Sequence, residues 1–450
     1  MKTLKLLILT LLLAIPAIPI VVFSQTNLKN KSRQTSFYVA SHGNDNNPGT
    51  KTLPWRTLSR VNQNTFSPGD TIYFARGSSF RGGLLISSSG TPDKPIILRP
   101  YGRGPAPSFT NLNPSLLNGN MIQIRGSYIV VDGLYFHDGI PANSKNGLNV
   151  RGEAGAIFIS LVATHNTIKN CEIENCPMGI QVTGQYNLIT HNHIHDCNIF
   201  LEFPMWGPIG IMVANSNNEI SYNRITNYKA VGGAFGADGG AIEIDEQKHA
   251  KNNIYVHHNY SIGNEGFLEI TKGSSTNNIR VSYNVSDDYQ EFIFFWAGTN
   301  CIVENNTVLC LKPSNSRVRV VFSFSNQNEV TVRNNIFVLA NGLQVFGGDS
   351  VYTATKWNQP HYSNLYYVVD GAQPDPCGIQ LGKGDIIADP LFIDLQNRDL
   401  HLQAGSPAVD AGVNVGQSLD FDNKQVPWGK APDIGAFEYH YEAGVRFLKY

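Results

Sequence analysis

The sequence predicts an all-β fold, a right-handed parallel β-helix with N- and C-terminal capping segments. Three observations carry this: Asn-punctuated segments that repeat, β-branched residues alternating with polar ones without a helical period, and an asparagine recurring at one place in successive repeats. Aligned on their starts, the segments are NTIKNCEIENCPMGIQVTG, NLITHNHIHDCNIF then GIMVAN, NEISYNRITNY then GGAIEIDE, NNIYVHHNYSIGNEGFLEITKG, NNIRVSYNVSDDYQEFIFFWAG, NCIVENNTVL then VVFSFSN, and NEVTVRNNIFVLANGLQVFGG. Units of about 21 to 36 residues cannot each bury a core alone, but they can by stacking. In a β-helix each unit makes one coil, hydrogen-bonded to the next about 4.8 Å away. The recurring column is Asn192, Asn223, Asn259, Asn284, Asn306 and Asn335, with Cys171 in that place one coil earlier. Asn tolerates a left-handed turn and can bond to its counterparts above and below. A β-propeller would need four strands per blade and longer repeats.

From the N-terminus, residues 1–24 read as a signal peptide. Two lysines precede an apolar run broken by Pro16 and Pro19, and Val22-Phe23-Ser24 suits cleavage after Ser24. A secreted or periplasmic protein is therefore expected, with no membrane attachment after signal removal, and without a lipoprotein cysteine before Cys171. Residues 25–110 are expected to form the N-terminal cap and first coils, 111–375 the repeats, and 376–450 a closing segment of the same domain. With 34 basic and 35 acidic residues, the chain is no bulk-charge binder of nucleic acid. Its 42 glycines point to many turns. The six cysteines have no close CxxC pairing for zinc. Cys176 and Cys197 align in neighbouring repeats, either as stacked thiols or as a disulfide.

The opening FYVASHGNDNNPGTKTLPWRTL, SPGDTIYFARGSSFRG and PIILRPYG, with the closing ADPLFID, DLHLQAGSPAVDAG and PDIGAFEY, resembles secreted bacterial right-handed β-helix proteins that act on polysaccharides. The resemblance runs from residue 37 to about 439. It implies a pectate-lyase-like solenoid, a polysaccharide or oligosaccharide substrate and a monomer. It is specific for fold more than for reaction, because the scaffold carries lyases, hydrolases, epimerases and adhesins.

The last strand of each repeat aligns as AIFIS, GIQVT, GIMVA, AIEID, FLEIT, FIFFW, VFSFS and GLQVF. The second and fourth residues, such as Ile242 and Ile244 or Leu268 and Ile270, are expected to point inward. Side chains alternate along a strand, so the third and fifth face outward. The third column contains Glu243, Glu269 and Phe294 in sequence, and the fifth Asp245, Thr271 and Trp296. One face thus gathers three carboxylates beside two aromatic rings. The insertion NIFLEFPMWGP, residues 198–208, would wall a groove and bring Trp206 to it. The excursion YKAVGGAFGADGG would bring Asp238.

Three chemistries suit these residues. As a glycoside hydrolase, the expected catalytic residues are Glu243, Glu269 and Asp245, with no cofactor. Glu243 and Glu269 on adjacent coils suit a retaining pair at about 5 to 5.5 Å, whereas Asp245 with Glu269 lies on a wider diagonal that suits inversion. Crowding of like charges is expected to raise the pKa of at least one of them, as a general acid requires. Trp296, Phe294, Trp206, Lys272 and Asp238 are the expected substrate-binding groups. As a polysaccharide lyase acting by β-elimination, the same three acids would ligate calcium. The stretch Glu269-Ile270-Thr271-Lys272 is similar to the glutamate-then-lysine strand of the chondroitinase B and alginate lyase family, which makes Lys272 the base. Lys272 comes sooner after Glu269 than in that pattern, and Trp296 stands where the family places an arginine. A non-catalytic sugar-binding protein is the third reading, with isomerases behind it. Against all of them stands a plain solvated acidic face.

His191, His193 and His195 in THNHIHD read as turn and surface residues rather than a metal site. His257 and His258 are expected on a different sheet from Glu243. SHGNDNNPGT, residues 41–50, reads as turn chemistry rather than a calcium loop.

Overall fold

The computed structural model describes residues 35–140, 155–197, 200–201, 207–229, 231–232, 239–245, 248–271, 273–289, 291–311, 321–324, 328–346, 357–369 and 375–440. The chain winds through three parallel sheets in turn, one strand in each per coil, as a right-handed parallel β-helix. Among the described residues, sheet 1 has 12 strands from Ser36–Val39 to His361–Tyr362, and sheet 2 has 12 from Ser79–Arg81 to Ile386–Ile387. Sheet 3 has 9, from Leu84–Ile86 to Phe322–Phe324. Every neighbouring pair in these sheets is parallel, and each coil's apolar residues fall on those of the next: Ile157 pairs with Ile180, Ile211 with Ile242, and Leu268 with Ile293. These residues, with Ile159, Val182, Val213, Ile244 and Ile270, are buried and fill the interior.

The asparagine column lies at the corner between sheets 1 and 2. Asn192, Asn223, Asn259, Asn284, Asn306 and Asn335 each send both the backbone N–H and the side-chain amide to the Oδ1 of the next coil. Cys171 starts the column by donating its N–H to Asn192, and Asn364 and Asp385 extend it. The left-handed residue is not the column asparagine but the one before it: His191, Tyr222, His258, Tyr283, Asn305 and Asn334 have φ between 51° and 55°. The column residues instead satisfy backbone groups that the bend removes from the sheets.

The corner between sheets 2 and 3 has its own column, in which Tyr228 donates its N–H to Asn264 and Asn264 to Asp288. Cys176 and Cys197, like the other four cysteines, are buried thiols outside any disulfide, which favours the stacked-thiol alternative over the disulfide. Burial and the neighbouring Cys197 push the Cys176 thiol far above its usual range.

At the N-terminus a short helix, Leu58–Asn62, is capped by Thr57 and buries Leu58 and Val61 in the core. Asp45, in the stretch expected to be turn chemistry, accepts from the backbone of Arg56 and Thr57 and from the Thr57 hydroxyl. After residue 389 the chain leaves the helix. The antiparallel strands Phe392–Asp394 and Asp399–Leu402, with Ile434 and Phe437, form a second apolar cluster with Val285, Leu309, Ile336, Val338 and Leu365 of sheet 2. No described helix is long and apolar enough to cross a membrane.

Candidate functional site

Sheet 3 holds the acidic face in the expected register. Met212 lies opposite Glu243, Glu243 opposite Glu269, and Glu269 opposite Phe294. Ile242, Ile244, Leu268 and Ile270 point into the core, so Glu243 and Glu269 project outward from adjacent strands, whose spacing is about 4.8 Å. The sequence does not anticipate how deeply part of this face is covered. Glu243 is 4% exposed and Asp245 1%, whereas Glu269 is half-buried and Trp296 is 44% exposed.

Two sets of contacts order this face. The Trp296 indole N–H donates to Glu269 Oε1 at 2.9 Å, while Phe294 packs edge-on against Trp296 with ring centroids 4.7 Å apart. Trp296 thus holds one carboxylate, and the two rings present surface beside it. The Thr271 hydroxyl donates to Asp245 Oδ1 and accepts from the Lys251 ammonium at 2.8 Å. Lys251 is fully buried, and its positive charge lies one hydroxyl away from Asp245. A buried carboxylate needs such compensation.

Thr271 and Lys251 are the residues behind this acidic face whose contacts sequence reasoning missed. Thr271 stands next to Asp245 in the outward column, so its hydroxyl was findable from the alignment. Lys251 begins a sheet 1 strand, Lys251–His257, and nothing in KNN marks its burial. Of the expected binding residues, Trp296 and Phe294 join the acids, while Trp206, Asp238 and Lys272 lie outside the described residues. The two excursions do meet: Phe200–Leu201 and Val231–Gly232 pair as a separate parallel sheet between the sheet 2 and sheet 3 strands of successive coils.

His257 and His258 belong to sheet 1 and its corner, as expected, with His257 bonded to Glu219 and His258 to the Asp420 carbonyl. His193 and His195 correct their reading as turn residues. They form a strand of sheet 2, and only His191 occupies the left-handed turn.

Comparison with known proteins agrees with this architecture. Residues 107–308 match the family model described as the right handed beta helix region. The uncharacterized protein YwoF of Bacillus subtilis (strain 168) is 26% identical over 165 residues, which is 36% of this chain and 33% of that protein. The match therefore spans about a third of that relative's length. Among solved structures, pectate lyase Pel9A is similar with a TM-score of 0.55 at 15% identity, over 90% of this chain and 96% of that one. A rhamnogalacturonan lyase gives a TM-score of 0.54 at 15% identity, over 80% of this chain and 91% of that one. At these identities the likeness is one of fold. The three parallel sheets, the register of their coils and the match over 107–308 give this chain the right-handed parallel β-helix fold.

Proposed function

We propose that the protein is a secreted carbohydrate-active enzyme that cleaves glycosidic bonds of a polysaccharide by hydrolysis, with Glu243 and Glu269 as its paired carboxylates. The observation that carries this reading is their register: two outward glutamates opposite one another on adjacent strands, one held by the indole of an exposed tryptophan. That spacing suits attack by one carboxylate on the anomeric carbon while the other protonates the leaving oxygen. A hydrogen bond donated to a carboxylate favours its charged form, which makes Glu269 the nucleophile. Glu243, withdrawn from water between Met212 and Glu269, is the acid that later becomes the base. Asp245 is tied to Thr271 and backed by Lys251, so it balances charge behind the pair. Trp296 and Phe294 offer the floor for a sugar ring.

The second reading is β-elimination on a uronate-containing polymer. Three hard oxygen donors within two adjacent coils, Glu243, Asp245 and Glu269, favour it, because they suit calcium. Bound calcium would neutralise the substrate carboxylate. Lysine would then take the carbon-bound proton, Lys272 by its place in the sequence three residues after Glu269.

Product chemistry separates the two. Incubation with plant and algal polysaccharides should release reducing ends without near-ultraviolet absorbance and be indifferent to a chelator. An unsaturated, absorbing product that vanishes with the chelator would replace hydrolysis by elimination. Retention of the protein in a polysaccharide gel with no product would leave a binding protein.

A further inference from the structure

Sheet 2 turns a second group of titratable side chains outward, away from the acidic face of sheet 3. Strands Glu172–Glu174 and His193–His195 are neighbours, with Glu172 opposite His193 and Glu174 opposite His195. Ile173 and Ile194 are buried in the core, so Glu172, His193 and His195 share the outer surface. The two imidazoles stack with centroids 4.1 Å apart. One ligand atom from each of the three residues lies within 4.8 Å of the others. His195 Nε2 and Glu172 Oε1 are already 3.4 Å apart, close to the roughly 3.3 Å between two ligands on a tetrahedral zinc ion. Glu172 is exposed, so its side chain is free to swing towards His193.

We propose that Glu172, His193 and His195 form a zinc site, completed by water, that clasps two successive coils. The surroundings of His195 support it. Its Nδ1 lies 2.9 Å from Asp196 Oδ2, and Asn227 holds the other oxygen of that carboxylate at 2.7 Å. Both ring nitrogens of His195 thus lie beside carboxylate oxygens, Nε2 beside Glu172 and Nδ1 beside Asp196. A carboxylate on the far nitrogen is the usual orienting partner of a zinc-bound histidine. The adjacent Glu174 is engaged by the Tyr135 hydroxyl, which leaves Glu172 as the carboxylate ligand. A histidine pair two apart on a strand and a carboxylate across the ladder supply borderline ligands that suit zinc and leave one position open. By contrast, in the group His361, Cys377 and Asp385, the carboxylate accepts from the backbone of Asn364 and Gly382.

Calorimetric titration of the chelator-treated mature protein with Zn²⁺ tests the site, together with cobalt absorption spectra and thermal melts. Expected are one saturable equivalent, a tetrahedral cobalt spectrum and a higher Tm with metal. Glu172→Gln and His193→Ala should each weaken binding at least about tenfold and abolish the metal-dependent rise in Tm, and Asp196→Asn should weaken it about 10- to 100-fold. Both ligand variants replace side chains that are not fully buried, and their metal-free melts should match the wild type, which separates lost ligation from lost folding. Controls His361→Ala and Glu243→Gln should bind as the wild type does. Absence of saturable binding overturns the proposal. So does wild-type affinity in Glu172→Gln and His193→Ala, or loss of binding in either control.

Discussion

Asp245 shows how one side chain's burial recruits others. Its carboxylate is out of water, its Oδ1 takes the Thr271 hydroxyl, and that hydroxyl takes the buried Lys251 ammonium. Thr271→Val keeps the shape but removes the link, leaving two buried charges without their shared hydroxyl. We expect it to cost about 2 to 4 kcal/mol in chemical denaturation, well above the cost of an ordinary surface substitution. The outward placement of Glu243, Asp245 and Glu269 was legible in the sequence because Ile242, Ile244, Leu268 and Ile270 alternate with them, and one residue of slip would turn the apolar set to solvent. Depth was not legible. Whether an outward side chain meets water or a covering segment depends on contacts between distant residues, which alternation does not encode, so Glu243 and Glu269 read alike in sequence while differing in exposure.

At the scale of the element, the corner between sheets 1 and 2 sets each coil on the next. Asn306 accepts from the backbone and side chain of Asn284, donates to the Val281 and Glu304 carbonyls, and donates to Asn335. Asn306→Ala strips partners from several buried backbone groups at once. A loss of about 2 to 5 kcal/mol is expected, read from the urea midpoint, and it should exceed that of a half-buried asparagine such as Asn277. The recurrence of Asn was plain from the repeats, but its job was not. The bend's left-handed φ falls on varied residues, among them Tyr222, His258 and Tyr283, so composition pointed to the wrong position. The histidines of THNHIHD misled for a related reason: Asn and Asp around them signal turns, yet Ile194 between His193 and His195 is the inward residue of a strand.

Across the whole molecule, the closing segment ties distant parts of the chain through buried acids. Burial pushes Asp420 and Asp433 up to about 6 and Glu438 up to about 7, despite the backbone N–H groups each accepts. For an acid raised on folding, the native state holds more protons than the unfolded chain between the two pKa values, so stability falls as pH rises through that span. His401 also favours low pH. Its pKa is raised overall, because Asp422 and Asp399 outweigh its burial, so its contribution is lost as pH climbs through neutrality. His258, pushed down to about 4 by burial and by His257, works the other way, one group against three acids. Hydrogen exchange in residues 389–440 should therefore be slower near pH 5 than near pH 8, about tenfold or more after correction for the intrinsic rate. Equal protection at both values would show these carboxylates to be solvated. The solenoid itself was readable end to end, because each coil repeats the same in-and-out pattern. The partner of the closing segment was not, since its contacts reach back more than a hundred residues, as from Arg398 to Asp287.

The central claim is that Glu243 and Glu269 act together on a glycosidic bond, and kinetics of Glu243→Gln, Glu269→Gln and the double variant test it most directly. On the polysaccharide that the wild type cleaves, each single change is expected to lower kcat by about a thousandfold or more. The double change should be little worse, as for groups that work as one unit. Wild-type turnover by the folded double variant would contradict it.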